Sequence, residues 1–270
     1  MRMLLRLACV AAVSFAGACL LVFTFQRRLL YFPEREAETA ALERASRLGL
    51  EPWRARDGSL RGWRAGPKAR PRARALVFHG NAGSALDRNY YAAALARRGI
   101  SVTLLEYPGY GPLPGSPSER TIAGTAVEAV DALASEGPEP LWLIGESLGS
   151  GVAARAARLR PNAVRGVLLV TPFARLVEVA HLHYPFLPGF LLRDRWAPRD
   201  DLDAYEGPVA ILVAGRDEVV TAAQGRALFD ALRGPKRLWV QPEAGHNDLV
   251  LEPGAAWWEE TVAFLGSMQP

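Results

Sequence analysis

Apolar and polar positions follow two regimes along this chain. Residues 7–25, LACVAAVSFAGACLLVFTF, form an unbroken apolar run without a charged side chain. About nineteen such residues wound as a helix span roughly 29 Å, close to the hydrocarbon thickness of a bilayer. The expected element is a single membrane-spanning helix, with residues 1–28 as the anchor. Farther along, short apolar runs alternate with longer amphipathic stretches. The runs at 75–78, 101–105, 141–144, 164–170, 209–213 and 238–241 read as buried strands, and the stretches at 86–98, 122–135, 148–158, 222–232 and 255–265 as helices. An Ala- and Glu-rich stretch ending near residue 50 reads as a short surface helix.

Strand and helix in repeated alternation predict an α/β fold, a mostly parallel, doubly wound sheet with helices on both faces. In such sheets ligands collect at the carboxyl ends of the strands. Residues 29–270 are therefore expected to form one catalytic-sized domain. One connection breaks the pattern. Residues 172–207, after the strand at 164–170, are rich in Leu, Phe, Tyr and Pro and too apolar to be disordered. They read as a lid-like insertion walling an apolar substrate site; the competing reading is that they cap the core of the sheet.

The N-terminal run admits a second reading, a signal segment, because Ala16 and Ala18 form a small-residue AxA site. The residues after Ala18 stay apolar, so cleavage there would leave an exposed greasy terminus, and an uncleaved anchor is preferred. A lipid-modified Cys19 is disfavoured for the same reason. Arg2 and Arg6 before the run are balanced by Arg27 and Arg28 after it. The free amino terminus and the acidic Glu34 and Glu36 tip the reading toward a catalytic part outside the cytoplasm.

Composition changes this picture little. The net charge is +4, yet only Lys68 and Lys236 are lysines, and Asp and Glu are interspersed with the arginines almost everywhere. That is the signature of a GC-rich bacterial coding bias, and it excludes a single-sign field suited to nucleic acid. The one basic cluster, Arg61, Arg64, Lys68, Arg70, Arg72 and Arg74, reads as a solvated loop that could also touch anionic head groups. Both cysteines, Cys9 and Cys19, fall inside the apolar run, so the rest of the chain has no thiol for a disulfide, a metal site or a nucleophile.

Chemistry concentrates in a few turns. Gly145, Glu146, Ser147, Leu148 and Gly149 form GxSxG between a strand and a helix-like stretch, the setting in which a serine hydroxyl is presented on a sharp turn. A serine needs a base, and the base needs an orienting acid. Of four histidines, His246 follows the last strand in GHND, whereas His79 sits in an HGNAG turn and His181 and His183 in the insertion. Asp217, in GRDEVV directly after the strand at 209–213, is the preferred acid over Glu218 and Asp248, since the order Ser, acid, His is the one this arrangement uses. Oxyanion donors are expected from the backbone amides of Leu148 and Asn81. His79 then fixes its loop by hydrogen bonds. No metal or cofactor is expected.

These segments, HGNAG, YPGYG at 107–111, GESLGSG, GRDEVV and GHND, resemble the α/β-hydrolase superfamily, and its small single-span membrane-anchored branch in particular. Arg27, Arg28, Leu29, Leu30, Tyr31, Phe32 and Pro33, together with YPFLPGFLLRDRW at 184–196, also resemble that branch. The resemblance implies an insertion after the sixth strand of the fold, a triad at Ser147, Asp217 and His246, and an oxyanion hole from Asn81 and Leu148. It implies hydrolysis of acyl esters, thioesters or lysophospholipid-like substrates. Relatives that remove N-terminal residues from peptides are the nearest rival; they would need a carboxylate for the substrate ammonium, for which Glu146, Asp200, Asp201 and Asp203 are candidates. Dehalogenases and epoxide hydrolases of this fold carry Asp where Ser147 stands. A non-catalytic scaffold is disfavoured because no triad member is missing.

Overall fold

The computed structural model describes residues 1–67 and 70–267. Lys68 lies outside them. Helix α1 (Arg2–Leu30) buries none of its residues and extends the apolar run by more than a turn. At about 1.5 Å per residue it is roughly 44 Å long, so it exceeds a hydrocarbon core by several turns' worth of rise shared between its two ends.

The main sheet has eight strands: β1 (Glu51–Arg54), β2 (Leu60–Ala65), β3 (Ala73–Phe78), β4 (Ile100–Leu105), β5 (Leu141–Glu146), β6 (Val164–Val170), β7 (Val209–Ala214) and β8 (Lys236–Gln241). They lie in the order β8-β7-β6-β5-β3-β4-β2-β1. Only β2 runs against its neighbours. β3 and β7 are buried at every position, the mark of strands covered on both faces.

Alternation along β3 divides the core. Leu76 and Phe78 face α4 (Glu119–Ala134) and α5 (Leu148–Leu159) through Ile122, Val130 and Val152. Ala75 and Val77 face the other layer, where α2 (Glu38–Arg47), α3 (Asn89–Ala96) and the C-terminal helix Trp257–Ser267 supply Ala45, Leu95 and Trp258. The doubly wound architecture is thus present, and each expected strand and helix is found within a few residues of its expected ends.

The basic cluster is corrected in part: Arg70 and Arg72 are exposed in the connection before β3, but Arg61, Arg64 and Arg74 are not loop residues. Arg61 and Arg64 belong to β2, where both guanidinium groups stack over Trp53, at 5.9 and 5.5 Å. Arg64 also pairs with Glu136 at 2.8 Å. Arg74 is buried in β3 and donates to the carbonyls of Leu133, Gly137 and Glu139. These arginines staple an edge strand and a helix end, and they are not a free basic loop.

Residues 172–207 follow β6, the sixth strand of the sheet, and contain α6 (Leu176–His183), a 3-10 turn (Gly189–Leu191) and α7 (Pro198–Asp201). Their ends serve the core: Leu176, Trp196, Leu202 and Tyr205 are buried within it. Their middle does not, since Leu182, Tyr184, Phe186 and Phe190 are exposed. The core-capping reading therefore holds for the ends of the insertion, and the middle is left exposed.

Candidate active site

Ser147 stands between the end of β5 and the first turn of α5 at φ 51° and ψ −116°, a conformation that costs a non-glycine residue about 1–3 kcal/mol. Its surroundings over-determine that geometry. The Ser147 N–H donates to Val170 O at 2.9 Å, and α5 starts against β3 so closely that a Cβ on Gly149 would lie 2.1 Å from Phe78 O. A Cβ on Gly145 would lie 2.3 Å from Gly149 O. The flanking glycines are therefore required by contact. Leu148 is the first helical residue, so its N–H has no partner within the helix and is free to face a ligand.

The structure brings the three side chains expected to act together into one hydrogen-bonded chain. His246 Nε2 lies 2.9 Å from Ser147 Oγ, and His246 Nδ1 lies 2.6 Å from Asp217 Oδ2. Asp217 is almost fully enclosed, and its other oxygen accepts the N–H groups of Val219 and Val220 at 2.9 and 2.7 Å. Those amides hold the carboxylate so that Oδ2 is left for the imidazole. The Arg216 N–H bonds to Ala244 O at 2.8 Å, tying the turn that carries the acid to the turn that carries the base. The competing acids are elsewhere: Glu218 is exposed, and Asp248 accepts the Gly245 N–H.

The HGNAG turn lies beside the nucleophile, since a Cβ on Gly80 would sit 3.7 Å from Ser147 Cβ. His79 is buried, stacked on Tyr107 at 3.9 Å, and its Nδ1 meets Gly80 O at 2.8 Å. Asn81 is held from three directions. Its Nδ2 donates to Leu30 O at 2.9 Å, and its carbonyl accepts from the Phe32 N–H at 2.8 Å and the Tyr110 hydroxyl at 2.7 Å. Phe32–Pro33 pairs in parallel with Ala82–Gly83, so the chain leaving α1 adds a short strand to this turn.

Two features were not legible in the sequence. The first is a polar cluster behind Ser147. Arg88 Nε donates to Glu146 Oε1 at 3.0 Å, and the Tyr90 and Tyr91 hydroxyls both donate to Glu146 Oε2. Burial, reinforced by the Glu146 carboxylate, pushes both tyrosines well above their ordinary range, so they stay neutral donors. Burial works against the Arg88 charge, but Glu146 outweighs it and holds the guanidinium above its ordinary value. Arg88, Tyr90 and Glu146, with His246, Asn247 and Thr171, line a cavity of about 220 Å³. The only local signal was the acidic residue inside GxSxG.

The second is a groove of about 680 Å³ between the last turns of α1 and the insertion. It is larger than the cavity beside His246, and Ser147 does not line it. Its two walls are fastened together: Gln26 Nε2 donates to Leu191 O at 3.0 Å, Gln26 Oε1 accepts the Arg193 N–H at 2.8 Å, and Arg27 makes a two-pronged contact with the buried Asp194.

Comparison with known proteins agrees with the fold. The sequence model of the family described as serine aminopeptidase, S33 matches residues 69–193. The uncharacterized protein Rv2307c of Mycobacterium tuberculosis is 34% identical over 271 residues, covering 95% of this chain and 92% of that one. The lysophosphatidylserine lipase ABHD12 of Danio rerio is 33% identical over 183 residues, covering 60% of this chain and 48% of the relative. The crystal structure of the Paleococcus ferrophilus monoacylglycerol lipase superposes with a TM-score of 0.59 at 21% identity, over 81% of this chain and 100% of that one. This chain belongs to the α/β-hydrolase superfamily. Its relatives include lipases, and its structural neighbours include lipases and esterases.

Proposed function

We propose that this protein is a membrane-anchored serine hydrolase that cleaves carboxylic ester or thioester bonds of acyl, lipid-like substrates through an acyl-enzyme on Ser147. The observation that carries the reading is the hydrogen-bonded chain Ser147, His246, Asp217 at 2.9 and 2.6 Å. Residues 1–28 serve as the anchor and 29–270 as the catalytic domain, outside the cytoplasm; the long apolar helix α1, none of whose residues is fully buried, supports the anchor.

The chemistry follows from the arrangement. Ser147 Oγ attacks the acyl carbonyl carbon while His246 Nε2 takes the hydroxyl proton. Asp217 holds the imidazole through Nδ1 and stabilises the imidazolium that forms. Negative charge on the former carbonyl oxygen is met by the backbone amides of Leu148 and Asn81; one such donor is typically worth about 10²–10³ in rate. His246 then gives its proton to the leaving alcohol or thiol. Water, activated by the same histidine, attacks the acyl-enzyme, releases the acid and restores Ser147. The relatives' lipase names support a lipid-like acyl group.

The peptidase alternative needs a free carboxylate for the substrate ammonium, and the candidates are engaged. Glu146 is held by Arg88, Tyr90 and Tyr91, Asp200 by Arg175, Asp201 by Arg155 and Arg158, and Asp203 by Arg233. An ammonium would have to displace an arginine at each of them. The ester reading is therefore preferred.

The test is hydrolysis of p-nitrophenyl esters of graded chain length by the parent protein and by Ser147→Ala, alongside labelling with a fluorophosphonate probe. The expected result is serine-dependent turnover and a label that vanishes in the variant. A label retained by Ser147→Ala removes the serine from its assigned role. Labelling without turnover of any ester shifts the reading to the peptidase.

A further inference from the structure

The groove between α1 and the insertion has a composition and a position that together specify an occupant. Val22, Leu29, Val177, Val179, Leu187 and Leu191 line it. Two further lining residues, Leu30 and His183, are bonded to the turns that carry the proposed chemistry. Leu30 O accepts from Asn81, and His183 Nε2 meets Val219 O at 2.9 Å, next to the amide that holds Asp217. The lining of the groove is thus bonded both to the proposed oxyanion turn and to the proposed acid turn.

We propose that this groove takes one long acyl chain of a membrane lipid, entering sideways from the bilayer, with its ester carbonyl delivered toward Ser147. The inference rests on the hydrolase reading above and adds the substrate class and its route. Three observations carry it. The groove shares a wall with the helix that is itself apolar enough to cross a membrane. The apolar run ends at Phe25, so Val22 stands at hydrocarbon depth and Gln26 to Leu30 stand at the level where lipid ester groups lie.

The exposed middle of the insertion agrees with that placement. Leu182, Tyr184, Phe186 and Phe190 are 52, 59, 85 and 75% exposed, a cluster disfavoured in water and suited to the membrane interface. Because Gln26 and Arg27 pin the insertion to α1, these side chains flank the same depth of the bilayer.

Volume selects one chain. A methylene, close to a water molecule in size, takes roughly 30 Å³, so a sixteen-carbon chain needs on the order of 500 Å³ and two such chains on the order of 1,000 Å³. The groove offers about 680 Å³. A second tail, where the lipid has one, stays in the bilayer.

The experiment uses the full chain carrying Ser147→Ala in phosphatidylcholine nanodiscs, with a lysophospholipid bearing a diazirine near the end of its acyl chain. After irradiation, crosslinked peptides are mapped by mass spectrometry. The expected crosslinks fall on residues 22–30 and 177–192, and Ala180→Trp, which fills the groove, lowers their yield by about tenfold. In the protein with its serine intact, Ala180→Trp lowers the ratio of palmitoyl to acetyl ester turnover by a similar factor. Leu187→Trp repeats both measurements from a second position on the insertion if Ala180→Trp does not fold. Crosslinks confined to residues 4–21, or a yield indifferent to both fillings, overturn the proposal. Crosslinking needs no turnover, so groove crosslinks without serine-dependent hydrolysis would leave the groove standing and sink only the reaction assigned to Ser147.

Discussion

Asn81 donates from Nδ2 to the carbonyl of Leu30, 51 residues earlier, at 2.9 Å. The donor belongs to the turn proposed to stabilise the oxyanion; the acceptor is the last residue of the apolar helix α1. One polar contact thus joins the segment proposed to meet the membrane to the turn proposed to meet the substrate.

Asn81→Ala keeps the backbone amide and removes only this tie. A neutral hydrogen bond is worth about 1 kcal/mol net, or roughly fivefold in a population. The expected outcome is a kcat lower by about fivefold with little change in KM, well short of the 10²–10³ lost with an oxyanion donor itself. Steady-state kinetics on a p-nitrophenyl ester checks it, and an unchanged kcat would show that the turn holds its shape without the helix.

Ser147, the proposed nucleophile, stores backbone strain. At φ 51° and ψ −116° a glycine relieves about 1–3 kcal/mol, offset by about 0.5–1 kcal/mol for the freedom glycine gains when unfolded. Ser147→Gly is therefore expected to be inactive yet more stable than Ser147→Ala, which keeps the Cβ, by about 1 kcal/mol. Urea unfolding of the two variants side by side gives the answer; equal midpoints would mean the turn is not strained.

Asp87 contributes a pH-dependent element close to the HGNAG turn. Burial pushes its carboxyl upward, but the Ser84 N–H at 2.7 Å and the Arg44 guanidinium outweigh burial and hold it below the ordinary carboxylate value. A depressed folded value adds stability that is fully present above the unfolded value of about 3.9 and is lost as pH falls through the folded one. Asp87→Asn should be less stable than the parent at pH 7, with the gap closing toward pH 3. Unfolding free energies at the two pH values decide it, and a constant gap would remove Asp87 from the acid limb.

What the sequence made legible was local. The buried strands announced themselves because β3 and β7 hide every side chain and leave unbroken apolar runs. Ser147, Asp217 and His246 were found because each follows such a run at its carboxyl end. β1 and β2 escaped because Arg61 and Arg64 alternate with their buried positions and stack over Trp53, a pattern that reads as polar loop. The Glu146 cluster escaped because Arg88, Tyr90 and Tyr91 lie more than fifty residues away, and nothing local predicts that they converge. The bond from Arg27 to Asp194 spans 167 residues and is invisible for the same reason.

The small ladder between Phe32–Pro33 and Ala82–Gly83 governs where a detergent-free version of this protein can begin. A chain started at Gln26 sheds the greasy run yet keeps Phe32 and Glu34, whose N–H groups bond to the carbonyls of Asn81 and Gly83. A chain started beyond Glu34 discards both donors and leaves the HGNAG turn with an unpaired edge. The cut site for crystallisation or assay in plain buffer is confined to a few residues between the end of the apolar run and the start of this ladder.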